Sequence, residues 1–205
     1  GYPAMPGYGP VRSGPAGYPG YPASRWAPAT PDGMPLAGAG WRLLARILDG
    51  IPVAVLTLVL GFGFIGSILD ATRSYLDKVQ AAADHNGPQP GPFDLYTTPG
   101  FLSGYVRLIG VYVAVNIAYN VVFIALRGAT PGKLAVGIRV RPWEAEGRPG
   151  WGRAVKRVLC YEVASVVPFL GGWYTLLDEL WLLWDPRRQC LHDKWPGTVV
   201  VRTRR

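Results

Sequence analysis

The sequence predicts an all-α membrane protein: two long transmembrane helices, a broken third hydrophobic segment and a small cytoplasmic β element. Three observations carry that expectation. Residues Gly50 to Leu69 form a run of 20 without a charge, and at about 1.5 Å of rise per residue such a helix covers about 30 Å, the hydrocarbon thickness of a bilayer. A second uncharged run of 19 residues, Leu108 to Leu126, is bracketed by Arg107 and Arg127. Charged residues make up only 17% of the 205 and hydrophobic ones 49%, a balance suited to one small membrane domain rather than to a large soluble enzyme.

Residues 1–40 hold nine Pro and nine Gly, with Gly-Tyr-Pro beginning at 1, 17 and 20. Such a composition cannot build a core, so a disordered cytoplasmic tail is expected. It reads first as a solvated leader, and second as a tyrosine-bearing segment that recruits protein partners. It has no apolar h-region, so the first span is expected to serve as an uncleaved targeting signal. The start at Gly1 suggests a trimmed N-terminus. The membrane domain is expected over 41–202, with spans at about 47–69 and 106–126 and a basic tail at 203–205.

Lys and Arg set the topology. Arg12, Arg25, Arg42 and Arg46 precede the first span, and Arg127, Lys133, Arg139, Arg141, Arg148, Arg153, Lys156 and Arg157 follow the second. The 31 residues from Asp70 to Gly100 carry Asp70, Asp77, Asp84 and Asp94 against Arg73 and Lys78. The positive-inside rule then places the N-terminus in the cytoplasm of a multi-pass plasma-membrane protein. The outer loop should continue the first helix until Asn86-Gly87-Pro88 and Pro90-Gly91-Pro92 break it.

The stretch from Val158 to Trp184 is long enough to cross once, yet Arg187, Arg188, Lys194, Arg202, Arg204 and Arg205 behind it should also stay inside. Pro168 to Gly172 divides it into two pieces of about 12 residues, each about 18 Å long as a helix and too short to cross. A re-entrant or interfacial helical hairpin reconciles length with charge, and Glu162, Asp178 and Glu179 suit a segment packed against other helices. A third full span is the alternative. Val136, Ile138 and Val140 alternate with Gly137, Arg139 and Arg141, a strand pattern, and Thr198 to Arg202 offers a second strand.

Chemistry is harder to read. The net charge of +8 sits beside the apolar segments, so anionic lipid headgroups are the expected partner rather than nucleic acid. Cys160 and Cys190 lack metal-ligand spacing, and no catalytic or nucleotide-binding fingerprint occurs. Neither enzymatic activity, nor a cofactor, nor a metal is expected.

Three ordered stretches carry a family resemblance. Trp41-Arg42-Leu43-Leu44-Ala45-Arg46-Ile47-Leu48-Asp49 resembles the opening of the RDD family of small bacterial membrane proteins. Thr130 to Val140 resembles that family's segment after the second helix, and Asp185 to Val201 its C-terminal signature. The resemblance covers roughly 40 to 202 and matches Arg42, Asp49 and Asp193 to the family's arginine and two aspartates. Pro196 departs from the small residue usual there, and the Pro/Gly/Tyr-rich leader is similar to those of actinobacterial members. Cation/proton antiport attributed to some members is what the resemblance implies for activity.

The residues themselves make Asp49 the candidate ion or proton site, with Arg46, Asn116 and Asn120. Arg42 lies two helical turns from Asp49 and Arg46 three residues away, so both are expected to neutralise it. Pro52 frees the carbonyl of Leu48, and Tyr112, Asn116, Tyr119 and Asn120 recur at helical spacing, with Asn120 expected nearest in depth. The bland alternative is a register anchor with interhelical bonds worth about 0.6 kcal/mol each. Asp193 is expected to cap or to pair with Arg139 or Arg141, and His192 to be an ordinary hydrogen-bonded neighbour or a pH switch. Two functions therefore stand: cation/proton exchange, which predicts a homo-oligomer, and a non-catalytic scaffold recruiting partners through the sheet and tail.

Overall fold

The computed structural model describes residues 29–167 and 170–203. The tail expectations for residues 1–28 and for Arg204 and Arg205 lie outside the described residues. Helix α1, Ala39–Asp84, runs 46 residues through Pro52, about 69 Å at the helical rise, and so extends well past the first uncharged run. A turn with Asn86 at φ 49° and the short α2, Asp94–Thr97, lead to α3, Phe101–Arg127. Beyond it come α4, Pro131–Ala135, β1, Ile138–Pro142, α5, Gly150–Ser165, α6, Leu170–Trp181, α7, Leu191–Lys194, and β2, Thr198–Arg202.

Helix α1 has its polarity reversed relative to a soluble protein. Its buried stripe is Ala45, Asp49, Val53, Thr57 and Gly61, one residue every four, while Ile47, Ile51, Val55, Val59 and Phe62 are exposed. That arrangement suits a lipid solvent, where small residues mediate helix contact and large apolar ones face outward. Glycines let α1 and α3 pack closely: a Cβ on Gly61 would meet Leu108 Cδ1 at 2.5 Å, and one on Gly104 would meet the Phe64 carbonyl at 3.1 Å. Both long helices are apolar enough to cross a membrane.

The strands β1 and β2 pair antiparallel, with Val140 opposite Val200. Gly128, at φ +69°, ends α3 and accepts a 2.7 Å bond from the Val140 amide, which hangs the sheet from the helix end. Ile138, Val140 and Val200 pack with Ala45, Ile124, Ala154 and Val158 into one core. The α3 and α5 ends and the start of α1 thus converge on the sheet.

Residues 29–40 correct the expected tail boundary. Leu36 bridges to Val201, the Ala37 amide donates to Val200 at 2.8 Å and the Arg202 amide to Pro35 at 2.9 Å. Arg141 pairs with Asp32 at 2.7 Å. Composition averaged over forty residues concealed the apolar trio Met34, Leu36 and Ala37, which completes the edge of β2 and buries Leu36 to 4% exposure.

Helices α5 and α6 fold back on each other. Tyr174 Oη donates to the Cys160 carbonyl at 3.2 Å, and Gly171 sits so close to the Ser165 carbonyl that no Cβ would fit. Both ends of the hairpin reach the sheet, through β1 before it and α7 and β2 after it. Its outer surface exposes Leu159, Val163, Val166, Leu170, Trp173 and Leu177.

Candidate functional site

The first motif arginine does not meet the first motif aspartate. Arg42 Nη1 reaches Asp193 Oδ2 at 3.2 Å, Nη2 donates to the Arg188 carbonyl at 2.6 Å, and Nε donates to the Ala37 carbonyl at 3.3 Å. Asp193, wholly buried, also pairs with Arg157 and accepts from Thr198 Oγ1 at 2.8 Å. A single carboxylate so binds α1, α5 and β2 together. It also reaches back to the Cys190 amide at 3.4 Å and caps α7. The cap is on α7 rather than on the sheet, and the arginines it meets are Arg42 and Arg157 rather than Arg139 or Arg141.

Asp49 is gripped from the other side. Its carboxylate accepts from Tyr119 Oη at 2.9 Å, Thr130 Oγ1 at 2.5 Å and the Gly132 amide at 2.7 Å, with Lys133 Nζ at 3.8 Å. Thr130 and Pro131 open α4, so the Gly132 amide is one that a helix start leaves without an intrahelical partner. Gly132 must lack a side chain here, because a Cβ would lie 2.8 Å from the Asp49 carboxyl and closer still to the Ala45 carbonyl. Burial pushes the Lys133 ammonium down to about 8, partly opposed by Asp49.

Neutralisation of Asp49 by Arg42 and Arg46 is therefore corrected, and the reason is geometric. Helical side chains slant toward the N-terminus, so Arg42 reaches away from a carboxylate about 10 Å further along the axis. Arg46 instead contacts Glu179 Oε1 at 2.5 Å and donates to Tyr161 Oη at 3.0 Å. The Glu179 contact is close yet off-axis, and that oxygen has no hydrogen bond. Asn116 and Asn120 also miss Asp49. Asn120 Nδ2 donates to Asn116 Oδ1 at 2.6 Å and Asn116 Nδ2 to Tyr112 Oη at 3.3 Å, while Tyr119, a third of a turn round α3, takes the place assigned to Asn120.

Two of the motif residues, Arg42 and Asp49, face one cavity of about 440 Å³ bounded by α1, α3, α5 and α6, while Asp193 does not line it. Arg42, Arg46, Asp49, Asn116, Asn120 and Lys133 line it, with Arg157, Tyr161, Glu162, Glu179, Cys190 and His192 opposite. Thr57 Oγ1 is buried there without a partner. Glu162 is 3% exposed and its carboxyl has no hydrogen bond or ion pair among the described residues. His192 is held by Asp178, which accepts from its amide at 2.8 Å and lies 2.5 Å from Nδ1. Burial, reinforced by Arg157, pushes the imidazole down to about 3 against the pull of Asp178, so the ring is neutral at physiological pH. Burial likewise pushes the Cys190 thiol up to about 11.

The sequence named no partner for Thr130, Gly132, Arg157 or Asp178. A signal existed for the first two in Thr130-Pro131-Gly132-Lys133, a helix start with a free amide. None existed for Arg157 or Asp178, whose partners lie 36 and 14 residues away in sequence.

Two long outward-apolar helices enclosing a polar cavity define a helical membrane protein. The model of the RDD family matches residues 36–197, and the chain belongs to that family. No curated protein and no solved structure matches it significantly.

Proposed function

We propose that the protein crosses the plasma membrane twice, with its N-terminus and sheet in the cytoplasm, and exchanges protons for small cations through the cavity. On this reading α1 and α3 span, and α5 and α6 form a hairpin that enters the bilayer from the cytoplasmic side and returns. The outward Leu, Val and Trp side chains of the hairpin support lipid contact, and the excess of Lys and Arg at the sheet end supports the orientation. Trp41, Trp151, Trp181, Trp184 and Trp195, all exposed, suit an interfacial belt at that level.

Glu162 is the exchangeable group in this proposal, and its burial without a partner is the observation that carries it. An unpaired buried carboxyl is driven toward its neutral form, releases its proton when a cation arrives and takes one up when the cation leaves. Asp49, whose oxygens are occupied by three hydrogen bonds, acts instead as the clamp holding α3 and α4 on α1. The test is reconstitution in liposomes with an internal pH dye and an imposed proton gradient, with Na+ or K+ added outside. Flux in the wild type and its loss in a folded Glu162→Gln variant are expected. No wild-type flux, or equal flux in both, overturns this reading and favours the scaffold alternative, in which the sheet and tail recruit partners. Labelling from outside of a cysteine placed at Arg204, in a Cys160→Ser/Cys190→Ser background, overturns the topology.

A further inference from the structure

We propose that Cys190, His192 and Glu179 form a binding site for a divalent transition-metal ion of the zinc class, open to the cavity. A sulfur of Cys190, a ring nitrogen of His192 and one carboxylate oxygen each of Asp178 and Glu179 lie within 4.8 Å of one another. Tetrahedral zinc sites use these donor types at about 2.0 to 2.3 Å from the ion, so side-chain rotations of about an ångström close the shell. Asp178 has a different place from the other three. Both its oxygens already face His192, one on the amide and one on Nδ1, the arrangement that fixes the tautomer of a metal-binding histidine and leaves Nε2 as the lone-pair donor.

The remaining groups prepare the site for an ion. Nε2, 4.0 Å from Asp193 Oδ2, has no hydrogen bond among the described residues, although His192 is only 5% exposed, and the ring lines the cavity. Glu179 Oε1 has no hydrogen bond, though the Arg46 guanidinium lies 2.5 Å away as a counter-charge that an incoming ion would displace. Arg42 Nη1, at 3.5 Å from Cys190 Sγ, stabilises the thiolate that binding requires. Binding replaces the thiol proton by the ion and releases that proton. The surrounding charges accommodate it: Asp178, Asp193, Glu179 and the Cys190 thiolate against Arg42, Arg46 and Arg157 leave one negative charge, and a divalent ion turns this into one positive charge. Three protein donors leave a fourth position facing the cavity, the pattern of sites that keep a water or exchange their ion rather than of closed structural ones. The site stands apart from proton exchange at Glu162, and neither requires the other.

The experiment uses the full chain in lipid nanodiscs, stripped by chelator and titrated with Zn2+ against a chromophoric competitor and separately with Co2+. Expected are about one Zn2+ per chain and a thiolate-to-cobalt charge-transfer band. The band should survive Cys160→Ser and vanish in Cys190→Ser; with two cysteines in the chain, survival in Cys160→Ser assigns it to Cys190 even where Cys190→Ser misfolds. Glu179→Gln should weaken Zn2+ at least tenfold. Asp178→Asn should keep the band while weakening binding about 10- to 100-fold, as loss of a carboxylate behind a ligating histidine does. Absence of the band in the wild type, its loss in Cys160→Ser, substoichiometric Zn2+ or unchanged affinity in Glu179→Gln overturns the site.

Discussion

Asp193→Asn should be among the most damaging single substitutions in this chain. The carboxylate is wholly buried and faces two guanidinium groups, Arg42 at 3.2 Å and Arg157, each itself buried to less than a tenth exposed. An asparagine retains the shape but removes the charge, leaving two arginines uncompensated and turning an amide nitrogen toward donors. Breaking a buried pair in this way costs about 3 to 5 kcal/mol. Exposed Asp70, paired with Arg73 at 3.3 Å on an open surface, is the control, and Asp70→Asn should change stability by about 0.5 kcal/mol or less. Reversible unfolding in mixed micelles reads both. Replacing the charged cluster together, Arg42→Met with Arg157→Met and Asp193→Leu, should recover much of the loss, because the penalty comes from the unpaired charge. A cost for Asp193→Asn below about 1 kcal/mol, or a triple variant worse than the single one, would refute the reasoning.

Gly132→Ala should destabilise by about 1 to 3 kcal/mol through overpacking against the Asp49 carboxyl and the Ala45 carbonyl, whereas Gly63→Ala, with nothing within 4 Å of its Cβ, should be neutral in the same assay. Lys133 is held down to about 8 against an ordinary value near 10.4. Between these values the unfolded chain binds the extra proton, so the stability of the wild type relative to Lys133→Met should rise as pH climbs through that window. A flat difference from pH 7 to 10 contradicts the burial of its charge. Leu36→Ala should cost about 2 to 5 kcal/mol, measurable by unfolding and by faster proteolysis ahead of α1; no change would return residues 29–38 to the tail.

How far the site was legible depended on the range of each interaction. Arg42, Asp49 and Asp193 stood out through a motif, and all three prove buried. Their pairing did not follow from spacing, since residues seven apart share a helix face while their side chains still reach in different directions. Asn116, Tyr119 and Asn120 could be placed on α3 by period, yet which of them touches α1 depends on the rotation of α3. The small residues Gly61 and Gly104 set that contact. His192 and Asp178 carried no local signal of partnership because the chain after α6 must turn back and set α7 on it before they meet.

Membrane insertion was written in the sequence alone, because it depends on the length and polarity of contiguous runs, local properties that add along the chain. The helix start at Thr130-Pro131 and the period-two strands were local in the same sense. Only the tertiary structure decided which buried charge answers which. It gave Asp193 to Arg42 and Arg157, Asp49 to Tyr119, Thr130 and Gly132, and His192 to Asp178. The physical reason is that a buried charge requires a partner, but packing chooses it, through the direction of each side chain and the rotation of each helix against its neighbours.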